Sequence, residues 1–394
     1  MGNLIFTSER QMNLQELQAF ISEEYIVRNN VMLGVCEIRK KNSDYSEFES
    51  ITKRTVASIT IDAIKSGIDV KKSDVQLVLD STFAPDYNPI EDYLDNTGKW
   101  DGHDYIGDFV HRIHTCNPIF YDFCHKWFVA MVATWKCTNR MYSNSIMPVL
   151  IGAQGCGKST FCRMVLPPKL RYAYAERLPF SIGPEMERSL GRYMLVNIDE
   201  FDQLSSRRQA MLKNFIQTPE GKVRKLYTNN IVDVRRYASF IATTNQQDVL
   251  SDPTGSRRFI CAEVEGLIDV ESPVNYEQMY AQALEEIRNG YVYWLTKEDE
   301  RMLEQQNAKY RQISPIMQLF STYFRKAEKT DVEAQWMTPL EIISSINNMS
   351  RHKIDCNKAT VLGRELHGAG LTSHRFNRGV AYLIAPASAT EEVA

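Results

Sequence analysis

Residues 152–159, Gly-Ala-Gln-Gly-Cys-Gly-Lys-Ser, fit the spacing G-x-x-x-x-G-K-[ST], which is the chemistry of holding a triphosphate. Glycines at Gly152, Gly155 and Gly157 let the backbone wrap so that successive N–H groups face phosphate oxygens. Ala153, Gln154 and Cys156 fill the remaining loop positions, and Thr160 follows in the first turn of the next helix. Lys158 is spaced to reach the β- and γ-phosphates, and Ser159 to offer its hydroxyl to Mg²⁺. The cofactors implied are ATP and Mg²⁺. Cys156 reads as a small residue tolerated in the loop.

A phosphate loop needs carboxylates and a way to sense the γ-phosphate. The run Tyr193-Met-Leu-Val-Asn-Ile-Asp199-Glu200 ends an apolar strand in two acids. Asp199 suits Mg²⁺, largely through water, and Glu200 suits polarising the attacking water. A second apolar run, from Ala238, ends at Asn245, where the amide can bond the water or the γ-phosphate. An Asn that only caps a turn is the competing reading. Arg257 and Arg258 follow on a loop, where a guanidinium can serve a neighbouring subunit as an arginine finger. Structural salt bridges are the alternative for that pair.

Cations gather in two other places. Residues 221–236 hold five Lys/Arg against one Asp and read as a hairpin, 222–227 with 231–236, around a polar tip at 228–230. Arg224, Lys225, Arg235 and Arg236 are its candidate DNA contacts; a solvated edge hairpin is the competing reading. Residues 351–378 hold six Lys/Arg against two Asp/Glu. There Arg364, Arg375 and Arg378 are the candidate phosphate contacts. The bland alternative is a small docking domain with a basic face.

The elements that position these groups follow from pattern. Ile146–Ile151 is an apolar run fit for a buried parallel strand, and a helix follows from Lys158. Upstream, residues 1–145 read as mainly helical. Helices are expected over 12–24, 51–65, 73–79 (capped by Ser73), 90–94, 105–114 and to about Trp135, with two short strands around Asn29-Asn30. Downstream, Ser205 caps a helix to about Gln217, and 275–289 and 297–325 are helical, the latter broken at Ser314-Pro315. Thr338-Pro339 opens a further helix, Asn357 caps another, and 372–376 with 380–384 form a hairpin: helix, helix, wing. His111, His114, Cys116, Cys124 and His125 lack the paired spacing of a structural zinc site, so they read as ordinary helix residues.

Composition bounds the class. The 394 residues are 43% hydrophobic and 24% charged, those of an ordinary soluble globular protein, and the net charge of −3 carries no global basic signature. No apolar run is long enough to span a membrane, the N-terminus lacks a signal-peptide pattern, and the eight cysteines form no C-x-x-C pair. A cytoplasmic protein with reduced thiols and no membrane partner is expected.

The order of these motifs within residues 152–259 resembles the virulence-associated E family. These are P-loop proteins of phages, plasmids and integrated islands, related to superfamily 3 helicases and AAA+ ATPases. Pro89-Ile-Glu-Asp-Tyr-Leu and Trp100-Asp-Gly resemble that family's lead-in. The resemblance gives Lys158, Ser159, Asp199 and Glu200 the nucleotide and magnesium roles. It makes Asn245 the sensor, Arg257 or Arg258 the trans-acting finger, and 222–236 a DNA-contacting hairpin. Many relatives carry a primase domain upstream; this chain lacks the length and acidic motif for one. The fold expected is α/β: a P-loop AAA+-like parallel-sheet core (146–265) after a mainly helical N-terminal region (1–145). A helical lid or linker (266–330), a small winged-helix-like domain (331–386) and a disordered tail (387–394) follow. The function implied is an ATP-dependent DNA-remodelling motor resembling a replicative helicase. It would act as a homo-oligomeric ring, such as a hexamer, on single- or double-stranded DNA, beside a separate primase or initiator. A non-motor switch in replication or phage defence, and a small-molecule phosphotransferase, are the alternatives.

Overall fold

The computed structural model describes residues 9–42, 47–136, 144–176, 184–224, 231–250, 256–311, 314–351 and 353–387. It opens with α1 (Glu9–Glu24), an antiparallel pair β1 (Tyr25–Asn30) and β2 (Val35–Lys40), then β3 (Glu49–Ser50), α2 (Lys53–Lys65), α3 (Lys72–Leu79) and β4 (Asp86–Tyr87). The strands line up β3-β2-β1-β4, and Leu17, Ile21, Ile38, Val56, Ile59 and Val75 close a core against them. Most of the regular structure in this region is helical, and the small four-stranded sheet is the part that the helical pattern does not announce. Its hairpin turns at 31–34 rather than at Asn29-Asn30. Gly34 supplies the left-handed residue (φ 65°), while Asn30 is buried within the strand with its amide on Glu37 Oε1 at 3.0 Å. Helix α3 starts at Lys72 and not after Ser73, because Asp74 Oδ2 accepts the Lys71 N–H at 2.8 Å and closes the helix end from inside.

The middle of the chain runs α4 (Pro89–Asp95), α5 (Tyr105–Val110), α6 (Phe120–Lys136), β5 (Met147–Ile151), α7 (Lys158–Met164), β6 (Tyr174–Ala175), α8 (Pro184–Arg192), β7 (Leu195–Ile198), α9 (Ser206–Gln217), β8 (Glu220–Arg224), β9 (Ile231–Arg235), β10 (Ser239–Thr244) and β11 (Phe259–Glu263). Among the described residues, five of these strands form one all-parallel sheet in the order β11-β5-β10-β7-β6. β5, β7 and β10 are buried along their whole length, so both faces must be covered. Leu190, Leu212 and Ile216 of α8 and α9 cover one face. The other is covered by α6, whose Trp127 and Trp135 indoles donate to Phe240 O and Tyr237 O, each at 3.0 Å. Residues 89–136 are thus one layer of this sheet's core, and no break in packing falls at residue 145. α5 ends at Val110 rather than His114, where the Ile113 N–H turns back onto Val110 O. Among the described residues, β8 and β9 pair only with each other, outside the central sheet. The tip at 225–230, with Lys225, lies outside the described residues.

The last stretch holds α10 (Tyr276–Arg288), α11 (Lys297–Gln306), α12 (Pro315–Tyr323), β12 (Phe324–Lys326), β13 (Gln335–Met337), α13 (Pro339–Met349), α14 (Ala359–Gly368), β14 (Ser373–Phe376) and β15 (Gly379–Pro386). Met279, Tyr280 and Ala283 of α10 join the core around α6. Ile316, Phe320 and Phe324, expected in the lid over 266–330, pack instead with Ile342, Ile343, Leu362 and Leu366. β12, β13 and β14 all pair antiparallel with β15. Asp355, not Asn357, caps the turn before α14: its Oδ1 accepts the Asn357 N–H at 2.9 Å. Residues 388–394, most of the expected tail, lie outside the described residues. No described helix is long and apolar enough to cross a membrane.

Candidate nucleotide-binding site

β5 delivers the loop at residues 152–157 and α7 receives it. Gly155 (φ 82°) and Gly157 (φ 97°) take left-handed backbone that a side chain would strain. At Gly152 the need is space, since a Cβ there would meet Val264 Cβ at 3.1 Å. Lys158 is 7% exposed. Its Nζ donates to Gly152 O (2.8 Å), Ala153 O (2.7 Å) and Asn245 Oδ1 (3.1 Å), and lies 3.6 Å from Cys156 Sγ. The three oxygen acceptors are carbonyl or amide groups without charge. A buried ammonium so surrounded is solvated but not neutralised, and an anion in the loop completes it. That charge balance is how the residues fit a phosphate group. Ala153, Gln154, Gly155, Ser159 and Thr160 are exposed; Cys156 is buried.

β10 stands between β5 and β7, so the acids follow a strand one removed from the loop's own. Asp199 and Glu200 are exposed just past β7. Glu200 has φ 55°, the one left-handed non-glycine among the described residues, and such backbone costs about 1 kcal/mol or more. The Thr243 hydroxyl donates to Asp199 Oδ1, and the Thr244 hydroxyl to Asp202 Oδ1 at 2.5 Å. Sequence reasoning missed both threonines and Asp202. The available signal was two hydroxyls ending an otherwise apolar strand, since buried hydroxyls need partners. Ser159 and Asp199 offer the oxygen donors that Mg²⁺ prefers.

Arg257 Nη1 pairs with Glu300 Oε2 of α11 at 2.9 Å, with its side chain 45% exposed. Arg258 beside it is half-buried. Residues 251–255, including Asp252 and Thr254, lie outside the described residues.

Two candidate DNA contacts have partners within the fold, and one of them, Arg236, is withdrawn from the surface. Arg236 is buried at 2% exposure and donates to Ala238 O, Ile216 O, Thr218 O and Asn144 O. The hairpin's return strand enters the core at this residue, so a guanidinium there must serve backbone carbonyls. Arg235 donates to Glu91 Oε1 at 3.0 Å and to Trp135 O, tying β9 to α4 and α6. Arg224 lies in β8, and its side chain is outside the description. Arg364 and Arg375 are exposed, whereas Arg378 pairs with Glu341 at 2.9 Å and donates to Trp336 O at 2.8 Å. Of the histidine and cysteine cluster, His125 meets Glu286 at 2.8 Å, His111 stacks on Tyr121 at 4.1 Å and Cys124 is buried.

Residues 94–312 match the family profile described as virulence-associated protein E-like domain. Residues 313–384 match a second profile, described as a domain of unknown function from B. Theta. No curated protein matches the chain. Among solved structures, an apo A form of the NrS-1 C-terminal region is similar at 12% identity, with 95% of this chain and 99% of that one covered and a TM-score of 0.46. A further apo structure of the same region aligns at 11% identity, with 95% and 99% covered and a TM-score of 0.43.

Proposed function

This chain belongs to the virulence-associated protein E-like family, and from that premise we propose that it is an ATP-dependent DNA-remodelling motor of a mobile element, hydrolysing ATP between subunits of an oligomer. The observation that carries the reading is the buried Lys158 ammonium, held by neutral oxygens inside a loop of left-handed glycines. Lys158 pairs with the β- and γ-phosphates, and Ser159 and Asp199 hold Mg²⁺. Thr243 keeps the Asp199 carboxylate oriented. Glu200 accepts the proton of the attacking water, and Asn245 orients that water while touching Lys158. ATP supplies the anhydride whose cleavage drives the motion. Arg257 or Arg258 reaches the γ-phosphate of a neighbouring subunit.

The non-motor switch draws support from one observation: Arg235 and Arg236 are committed to the fold, which leaves the hairpin fewer cations to track DNA. Strand displacement separates the two, since a switch binds DNA without displacing a strand.

A mixing experiment tests the shared site. Lys158→Ala and Arg257→Ala are each expected to abolish hydrolysis alone. Mixed, they should regain activity, because an intact loop then faces an intact arginine across some interfaces. If the mixture stays inactive while Arg258→Ala with Lys158→Ala also fails to complement, the intersubunit site is wrong.

A further inference from the structure

A strap crosses the back of the phosphate loop, and nothing in the loop's own motif accounts for it. After β11 the chain runs through residues 264–273 against the loop. The Ile268 N–H donates to Cys156 O at 2.9 Å, and the Val264 N–H to Ile151 O at 2.7 Å. A Cβ built at Gly157 would meet Val270 Cγ1 at 3.3 Å and Ile268 Cβ at 3.4 Å. The loop is thus pressed between its own strand and this strap, which leaves its left-handed turn no room to relax backwards.

The strap has its own anchor, within the turn that ends α5. Arg112 Nη1 donates to Ser272 O at 2.8 Å and Asp269 O at 3.3 Å, and Nη2 to Pro273 O at 2.9 Å. Nearby the Glu265 N–H donates to His114 O at 2.7 Å, and Asn117 Nδ2 to Cys261 O at 2.8 Å. Asp269 Oδ1 accepts the Glu271 and Ser272 N–H groups at 3.1 and 3.0 Å, which curls the strap so that its carbonyls face Arg112. A guanidinium fork that gathers three carbonyls holds a loop in a way that a single-point ammonium does not.

We infer that Arg112 is a positioning residue for nucleotide binding: through the 264–273 strap it holds the phosphate loop in the shape that receives the triphosphate. The inference rests on the nucleotide-site reading proposed above. Among the described residues, the Arg112 guanidinium meets the strap carbonyls and the Phe109 ring and neither the loop nor a candidate catalytic group, so its loss acts on the pre-formed shape of the site. The loss should therefore fall on nucleotide affinity more than on the chemical step.

The test is titration calorimetry of the full chain with magnesium-ATP, beside steady-state hydrolysis, for the unmodified protein, Arg112→Ala, Arg112→Lys and Asp269→Ala. Arg112→Ala should weaken the Kd and raise KM about tenfold, the scale of lost charged hydrogen bonds, with a much smaller fall in kcat. Arg112→Lys should recover part of the loss. Asp269→Ala, an exposed change that leaves Arg112 in place, should shift Kd in the same direction by less. Should Arg112→Ala prove unfolded by circular dichroism, the lysine and Asp269 variants decide alone. Folded variants that bind magnesium-ATP as tightly as the unmodified protein overturn the strap's role and leave the nucleotide site standing. An unmodified protein that does not bind magnesium-ATP overturns the site itself and this inference with it.

Discussion

Asn245 Oδ1 accepts a hydrogen bond from Lys158 Nζ at 3.1 Å, so the end of β10 and the phosphate loop are joined through the loop's own cation. Any anion that draws the ammonium toward phosphate changes what the amide sees, and the amide is free to turn to water. Asn245→Ala is expected to lower kcat about tenfold to a hundredfold while magnesium-ATP affinity changes far less. Steady-state kinetics and an equilibrium titration check the split.

Thr243 offers a narrower probe. Its hydroxyl donates to Asp199, and it is buried at 1% exposure. Thr243→Val keeps the shape and removes one hydrogen bond to a carboxylate, so hydrolysis should fall about tenfold. Thr243→Ser should restore most of it. Equal rates in the valine and serine variants would remove Thr243 from the site.

The basic residues should divide by burial. Arg236 serves four carbonyls inside the core, and Arg236→Met should cost about 3 kcal/mol of stability in denaturant unfolding. Arg375 is exposed, and Arg375→Ala should change stability by less than about 0.5 kcal/mol. If Arg375 meets a phosphate, the slope of log affinity against log salt should drop by about one in that variant. An unchanged slope would take Arg375 out of the DNA interface.

One carboxylate gives a pH signature. Burial disfavours the charge of Asp104, yet the Gln282 amide and the Gly107 N–H outweigh it and hold its carboxyl below the usual range. A depressed native pKa contributes stability above the unfolded value, about 3.9 for Asp, which is lost as pH falls through the native value. The gap in melting temperature between the unmodified protein and Asp104→Asn should therefore be full at neutral pH and shrink steadily below about pH 4. A gap independent of pH would assign the effect to packing alone.

Much of the candidate nucleotide site was legible in residue order. Gly155, Gly157 and Lys158 announced a phosphate loop, and Asp199 and Asn245 each stand just past a parallel strand, because carboxyl ends of such strands are where ligands collect. Helix ends with strong local chemistry were equally readable: Ser205 and Thr338 each cap the helix they precede, while Ser314, read only as a break, proves to cap α12. Where a competing side chain lay three residues inside, as with Asp74, or just upstream, as with Asp355, the expected cap was misassigned.

Local pattern alone determined that an apolar strand leads into a glycine-rich turn and then a helix, since loop spacing and burial demand are properties of neighbours in sequence. Tertiary structure alone decided which cations serve the fold: nothing in the charge run 222–236 sets Arg235 and Arg236 apart, yet both donate to backbone carbonyls and Arg235 also to Glu91. Tertiary structure likewise brought Arg112 to a strap more than 150 positions away. Hydrogen bonds to carbonyl groups carry no sequence signature, because every residue presents the same carbonyl, and which one a guanidinium meets is settled when the layers pack.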